Sequence, residues 1–294
     1  MVEPPPTREL WSVSQHWRRF ADGIRADIAG FDPAGLRTRR AVACGVAVAL
    51  GVLCAIILDL DFPMWSGISA FICVQSSLAA TTLKGVLRIL GTIGGGLLAA
   101  FVVGIVGDNH VALFVALLVS VSYALYRSYL SRYTYAWLLS GITIGLVMLT
   151  SIAEPAAGLE AAAYRVSEVV VGVIAAWIVV ALLLPDHLDP RTDHALMDTP
   201  KLQSRRHAAA TAAEGGIGIG IVLLLYAWLD LPGFSSAAVS VTRLADPDPR
   251  IGRHRGFLRL IGCLVGGASG LLMVSFSIEW LPGLLFWLFI WCAI

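Results

Sequence analysis

The sequence KGVLRILGTIGGG at residues 84–96 returns, with changes, as RGFLRLIGCLVGG at residues 255–267. Six of the thirteen positions are identical in the two segments. Just upstream, LDLDFPMWS at residues 58–66 has a shorter counterpart, LDLPGFS, at residues 229–235. Duplicated, glycine-rich apolar segments are typical of transporters that are built from internal repeats. The repeat therefore predicts a polytopic membrane protein made of two related halves.

The composition independently indicates a membrane protein. Of the 294 residues, 57% are hydrophobic and only 14% are charged, and the mean hydropathy is +0.79. Soluble domains carry about 25% charged residues. Several apolar stretches also reach the roughly 20 residues that a helix needs to cross a bilayer. We therefore expect an all-α fold, a polytopic helical bundle in the lipid bilayer.

The sequence contains none of the common motifs of enzymes. There is no GxxxxGKS or GxxxxGKT phosphate loop, so nothing encodes an ATP-driven mechanism, and HExxH, CxxC and GxSxG are also absent. The five cysteines show no metal-ligand spacing. We therefore predict no catalytic activity, no cofactor and no metal site, and no nucleic acid as a partner.

We divide the chain into four segments. Residues 1–40 form a cytoplasmic N-terminal segment, whose amphipathic helix lies in the membrane interface or packs against cytoplasmic loops. Residues 41–184 form the first transmembrane half of six helices. Residues 185–207 are a polar cytoplasmic linker, and residues 208–294 form the second half.

The apolar stretches predict six spans in the first half and four in the second, of which the one at 233–243 is too short to cross a membrane. They lie at residues 41–60, 64–82, 87–107, 111–127, 133–152, 163–184, 208–229, 233–243, 257–277 and 280–294. An even number of spans per half makes the two repeats parallel. We therefore expect two parallel six-helix repeats, the second truncated after four spans.

The distribution of basic residues predicts the orientation. With the N-terminus in the cytoplasm, 20 of the 21 Lys and Arg residues fall on the cytoplasmic side. The predicted outer loops then contain acidic residues and no basic ones. Cytoplasmic loops of membrane proteins carry such an excess of Lys and Arg. We therefore place the N-terminus inside.

Two pairs of basic residues are related by the repeat and are the first candidates for binding a substrate. Lys84 and Arg88 are spaced i, i+4, as are Arg255 and Arg259, so each pair lies on one face of a helix. Two such faces at the cytoplasmic ends of spans would form a positive vestibule for an anion. The alternative is ordinary anchoring of the helix ends by basic residues.

Three further charged residues within the predicted spans are candidates for a transport pathway. Charges at the bilayer centre cost roughly 2.5–3.5 kcal/mol each on insertion scales, so they usually pair or serve a transport pathway. Arg165 and Glu168 stand one turn apart, either as a self-satisfied ion pair or as a carboxylate-binding cation beside a proton acceptor. Glu214 has no basic residue within a helical turn, and is either a second proton-coupling group or an interfacial residue.

Glycines and aromatic residues mark two further features. Gly91 and Gly95, with their repeat counterparts Gly262 and Gly266, have the spacing at which helices pack closely in lipid, and they could also line a pathway. Phe62, Trp65 and Phe71 and a tyrosine-rich stretch at residues 123–137 could stack on a flat aromatic substrate, or form an interfacial belt.

Three stretches of the chain resemble a known family. They are FPMWSGISAFICVQSSLAATTLKGVLRILGTIGGGLLAAFV (62–102), SRYTYAWLLSGITIGLVML (131–149) and YRVSEVVVGVIAAWIVVALLLP (164–185). They are similar to the fusaric acid resistance, or aromatic acid exporter, family of bacterial inner-membrane proteins, over residues 41–185 well and 208–294 more loosely. The resemblance implies two six-helix halves and proton-driven export of aromatic carboxylic acids, with a periplasmic adaptor protein. The short linker, the compressed eighth span and the missing last helices depart from the family pattern.

These observations lead to one functional hypothesis and two alternatives. We expect a proton-driven secondary exporter of aromatic carboxylic acids or related organic anions. The anion would pass Lys84, Arg88, Arg255 and Arg259 and meet Arg165, with Glu168 or Glu214 coupling proton uptake. The first alternative is a passive anion channel, assembled as a homodimer and resembling plant malate channels. The second is a truncated remnant that does not transport.

Overall fold

The computed structural model describes residues 12–30, 32, 35–106, 109–153, 158–184, 204–229, 234–244, 246, 248–275 and 280–293. Every regular element within these ranges is a helix. In chain order the helices are α1 (Val13–Ala29), α2 (Leu36–Ile57), α3 (Pro63–Cys73), α4 (Leu78–Val106), α5 (His110–Leu130), α6 (Thr134–Ala153), α7 (Gly158–Leu183), α8 (Arg205–Leu229), α9 (Phe234–Leu244), α10 (Pro249–Ser275) and α11 (Leu281–Ala293).

Seven of these helices, α2, α4, α5, α6, α7, α8 and α10, are long and apolar enough to cross a membrane. The helices α3 and α11 are apolar but shorter, and α9 has only 11 residues. The protein is therefore an all-α, multi-pass membrane protein, as the composition predicts. The linker predicted at 185–207 falls mostly outside the described residues.

The single span predicted at 64–82 is wrong, because the chain breaks between α3 and α4. The Nε2 of Gln75 donates to the carbonyl oxygen of Val74 at 2.7 Å, and the Oγ of Ser77 accepts from the N–H of Ala80 at 3.1 Å. A serine in this position satisfies one of the N–H groups that have no partner inside the helix. The polar residues after α3 therefore end one helix and start the next.

This break changes the depth of the basic residues predicted at a helix end. Arg88 lies ten residues after the start of α4 and is only 3% exposed. At 1.5 Å per residue, it is about 15 Å along the helix. Arg259 lies at the same distance from the start of α10. The two arginines are therefore placed well inside their helices rather than at the helix ends that the sequence predicts.

The helices α4 and α6 approach each other closely at glycines. A Cβ added to Gly95 would lie 2.5 Å from the carbonyl oxygen of Ser140, and one added to Gly91 would overlap the carbonyl oxygen of Ala136. Only glycine permits this backbone contact, which is how small residues bring helices together in lipid.

The counterparts of these glycines on α10 have different surroundings. No atom of the described residues lies within 4 Å of a Cβ placed on Gly262 or Gly266. The sequence predicts close packing at these two positions as well, and that packing is absent here because no described helix lies against this face of α10.

Helices of the two predicted halves correspond in where they begin. The short helices α3 and α9 both have 11 residues and begin 171 positions apart, and α5 and α11 also begin 171 positions apart. Across the halves, α5 packs on α8 and α11 packs on α2. In the predicted repeat, α8 corresponds to α2 and α11 corresponds to α5. Each of these two contacts is therefore the equivalent of the other. The arrangement as two parallel six-helix repeats stays a prediction.

The N-terminal helix α1 packs on the first part of α10. The ring of Trp17 meets the ring of Phe257 edge-on with 5.2 Å between centroids, and the Nδ1 atoms of His16 and His254 are 3.1 Å apart. Other apolar side chains of α1 are exposed, including Val13 and Ile24. The predicted amphipathic helix is therefore present, and it contacts a helix of the second half.

Candidate substrate cavity

A cavity of about 1020 Å³ lies between helices of the two halves. Residues of α2, α3, α4, α6 and α7 line it from the first half, and residues of α9, α10 and α11 line it from the second. Pockets for small molecules usually measure about 300–1,000 Å³. The cavity is therefore large enough for an organic molecule with a ring.

The wall of the cavity is mainly apolar. The aromatic side chains are Trp65 and Phe71 on α3 and Trp291 on α11. Aliphatic side chains, such as Val52 and Leu288, fill most of the remaining surface. Such a wall favours the apolar body of a ligand, because its burial removes apolar surface from water.

Three arginines are the charged residues of this wall. Arg88, Arg165 and Arg259 line the cavity, and the described lining includes no carboxylate. Charged groups in such a setting need a partner, because an isolated ion is costly to remove from water. The surroundings of each arginine therefore determine what the cavity can bind.

Arg165 on α7 is held between an aromatic ring and an acid. Its guanidinium carbon is 3.6 Å from the centre of the Trp65 ring, and its Nη1 is 3.5 Å from Oε2 of Glu168. The side chain is 7% exposed, and its Nε has no hydrogen-bond partner among the described residues. Arg165 therefore keeps an N–H group that a ligand oxygen can satisfy.

Glu168 lies behind Arg165 and is fully buried. Its Oε1 accepts a hydrogen bond of 3.0 Å from the backbone N–H of Phe62, the residue that precedes α3. The first N–H groups of a helix lack partners within it and favour negative charge. Glu168 thus connects α7 to the start of α3 and neutralises the charge of Arg165.

Arg88 on α4 is held by neutral groups. Its Nε donates to the Oγ of Ser69 at 3.1 Å, and its Nη1 donates to the hydroxyl of Tyr135 at 2.9 Å. Ser69 in turn donates to the carbonyl oxygen of Trp65 at 2.7 Å, so its lone pair is left for Arg88. No carboxylate of the described residues forms an ion pair with Arg88.

Arg259 on α10 has the same arrangement in the second half. Its Nε donates to the Oγ of Ser240 at 2.6 Å. Ser240 and Arg259 each lie 171 positions after Ser69 and Arg88, the same displacement as the short helices. The two repeats therefore share a hydrogen bond as well as a sequence pattern. In each, an arginine of the long helix (α4 or α10) donates to a serine of the short helix (α3 or α9).

The sequence of residues 42–219 matches the model of the fusaric acid resistance protein family. The chain belongs to this family. The match covers Arg88, Arg165 and Glu168 and ends before Arg259. No curated protein and no solved structure matches the chain. Family membership, together with the seven candidate spans, makes the protein a membrane transporter by class.

The other predicted residues of this family member do not line the cavity. Lys84 is half-buried, with its Nζ 5.8 Å from the centre of the Tyr135 ring. Arg255 forms an ion pair of 2.7 Å with Asp246. Glu214 is exposed on α8. Of the four charged and glycine pairs singled out from the repeat, only Arg88 and Arg259 both line the cavity.

Sequence reasoning missed Ser69, Tyr135 and Ser240 as partners of the arginines. Ser69 and Ser240 carried a usable signal, because they share the 171-residue displacement of the two arginines. Tyr135 carried none, since its contact with α4 depends on helix packing. In the described part of the chain, no group of three or more His, Cys, Asp and Glu residues is placed to hold a metal ion.

Proposed function

We propose that this transporter is a proton-driven secondary exporter of aromatic carboxylic acids or related organic anions. The observation that carries the proposal is the combination of a large apolar cavity with buried Arg165, whose Nε lacks a partner in the described structure. A carboxylate would satisfy this group, and a ring would contact Trp65 and Phe71. Arginine is well suited to this role because its planar fork matches the geometry of a carboxylate.

The proton-binding group of the proposal is Glu168. A proton on this carboxylate would raise the net charge next to the cavity by one unit and leave Arg165 without its partner. Binding of the proton and of the anion would then be linked energetically, and driven export requires in addition that the two cross the membrane in opposite directions. Glu214, the second predicted candidate, is exposed on α8 and makes no contribution to the cavity wall.

We also propose that the protein lies in the bacterial inner membrane with its N-terminus in the cytoplasm. The packing of α1 on the first part of α10 supports this orientation, because it brings two arginine-rich segments to the same side. Such segments are retained in the cytoplasm. A periplasmic adaptor protein as partner rests on the family resemblance.

The proposed architecture is a pair of parallel six-helix repeats. In this arrangement α8, α9, α10 and α11 are the counterparts of α2, α3, α4 and α5. The common displacement of 171 residues supports it, as do the two equivalent arginine–serine hydrogen bonds. The helices α6 and α7 have no counterpart among the described residues of 208–294.

Uptake of labelled hydroxybenzoate into energised inside-out vesicles tests the proposal. The acidified lumen excludes a weak acid that merely partitions, so accumulation there must be driven. We expect accumulation that collapses with a protonophore and that is lost in Glu168→Gln. Glu214→Gln is the matched control and should transport normally.

Two other outcomes would favour the alternatives. Flux that follows an imposed voltage and ignores the pH gradient would favour a passive anion channel, whether or not a homodimer forms it. Complete absence of flux from vesicles containing correctly inserted protein would favour a remnant that does not transport.

A further inference from the structure

The charges on the cavity wall do not balance. Arg165 is neutralised by Glu168, whereas Arg88 and Arg259 are bonded to the hydroxyl groups of Ser69 and Ser240. Neither of these two arginines forms an ion pair with any described carboxylate. The described wall of the cavity therefore carries two positive charges in excess.

The excess positive charge is energetically costly because Arg88 is buried. The side chain is 3% exposed, so water does little to solvate its charge. A buried ion without a counter-ion costs several kcal/mol. Neutral hydrogen bonds to Ser69 and Tyr135 hold the guanidinium in place but do not compensate its charge. A bound anion would provide the compensation.

Arg259 is a second cation that is held in the same way, by the hydroxyl group of a serine. Its Nε is fixed by Ser240, which leaves the remaining N–H groups of the guanidinium for other acceptors. Because Arg88 and Arg259 occupy equivalent positions of the two halves, the cavity contains two similar anion-binding groups on opposite repeats. One ligand with two anionic groups can engage both.

We propose that the cavity prefers a divalent organic anion, an aromatic dicarboxylate, over a monocarboxylate of the same ring. One carboxylate would pair with Arg88 and with Arg165, the binding residue of the proposed function, and the other with Arg259, while the ring would contact the apolar wall. This inference deepens the proposed function and rests on it. The preference follows from charge complementarity, since two charge-assisted pairs replace one.

Matched ligands test the valence of the site directly. The full-length protein in lipid nanodiscs is titrated with benzoate or isophthalate at pH 8, where both carboxyl groups of isophthalate are ionised. Calorimetry or tryptophan fluorescence reports the affinity, with Trp65 and Trp291 in the cavity wall as reporters. We expect isophthalate to bind about tenfold more tightly than benzoate at low salt.

Variants show whether the two arginines cause the preference. Arg259 is exposed, so Arg259→Gln should leave the fold intact, reduce the isophthalate affinity about tenfold and change the benzoate affinity little. Arg88→Gln should also remove the preference, and Arg88→Lys retains the charge if the glutamine variant folds poorly. Arg127→Gln is the control, because Arg127 contacts Trp137 outside the cavity and should leave both affinities unchanged.

The other outcomes of these experiments would overturn either the divalent preference or the proposed function. Equal affinities, tighter benzoate binding, or a preference that survives Arg259→Gln would overturn the divalent preference while leaving organic-anion transport intact. If neither anion binds and vesicle uptake of hydroxybenzoate also fails, the proposed function is wrong and the inference falls with it.

Discussion

The guanidinium carbon of Arg165 lies 3.6 Å from the centre of the Trp65 ring, a contact that joins α7 to α3 at the cavity wall. Cation–π contacts contribute about 0.5–1 kcal/mol when exposed and about 2 kcal/mol or more when water is excluded. Arg165 is buried, so the contact belongs to the stronger class. The ring therefore fixes the orientation of a cation that has an unused N–H group.

Replacing Trp65 by leucine should weaken anion binding. Leucine retains an apolar surface but removes the ring that positions Arg165, so we expect a loss in hydroxybenzoate affinity of about tenfold, the equivalent of ~1.4 kcal/mol. Trp65→Phe, which keeps a ring, should lose less. Titration of the purified variants measures the effect. Trp228→Leu is the control, because Trp228 is exposed and does not line the cavity; an equal loss there would show that the change is not specific to the site.

The repeat offers a matched pair of glycine substitutions. Gly95→Ala places a Cβ 2.5 Å from the carbonyl oxygen of Ser140, so α4 and α6 must separate, whereas Gly266→Ala meets no described atom within 4 Å. Overpacking of this kind costs about 1–3 kcal/mol. We expect a lower temperature of unfolding for Gly95→Ala in detergent and no change for Gly266→Ala. A comparable loss at Gly266 would show that another helix covers that face of α10.

Removing Glu168 should destabilise the fold more than removing the whole ion pair. Glu168→Ala leaves the buried cation of Arg165 without its counter-ion, which costs about 3–5 kcal/mol in comparable cases. In the double variant Arg165→Met with Glu168→Leu, apolar side chains replace both charges, so the loss should be smaller. Thermal unfolding of the single and double variants measures the difference. A larger loss in the double variant would mean that the charges themselves stabilise the packing of α7.

The sequence predicts the membrane fold and one pair of cavity residues, because these depend on local properties. Apolar length identifies the long helices, and the repeat identifies Arg88 and Arg259 as equivalent. The break after α3 was also encoded locally, in the polar residues at 75–77, but the apolar background concealed it. That error placed Arg88 at a helix end instead of inside the protein.

The remaining features depend on packing between helices that no local pattern specifies. Lys84 and Arg88 share one helical face, yet only Arg88 lines the cavity, because it lies one turn farther along α4 and reaches Ser69 of α3. Gly91 and Gly262 have equivalent sequence contexts, yet among the described residues only Gly91 lies against another backbone. Equivalent residues of a repeat acquire different surroundings when the neighbouring helices differ.

The two serines that hold the arginines provide the last prediction. Ser69→Ala and Ser240→Ala each remove the acceptor for an arginine Nε while leaving the charge in place. Arg88 is buried, so water cannot easily replace Ser69, and an unsatisfied buried group costs about 1–3 kcal/mol. We expect Ser69→Ala to reduce anion affinity about tenfold and Ser240→Ala to reduce it about twofold, since water can reach the exposed Arg259.

Titration of both variants with the same anion measures this difference, and Ser275→Ala serves as a control for loss of a serine outside the cavity, because Ser275 is exposed at the end of α10. Ser69→Thr keeps the hydroxyl group and should restore most of the affinity if its added methyl group is accommodated. Equal losses at Ser69 and Ser240 would contradict the argument from burial. Unchanged affinity in both serine variants would mean that Ser69 and Ser240 do not orient the guanidinium groups. The arginines would then bind the anion without help from the short helices α3 and α9.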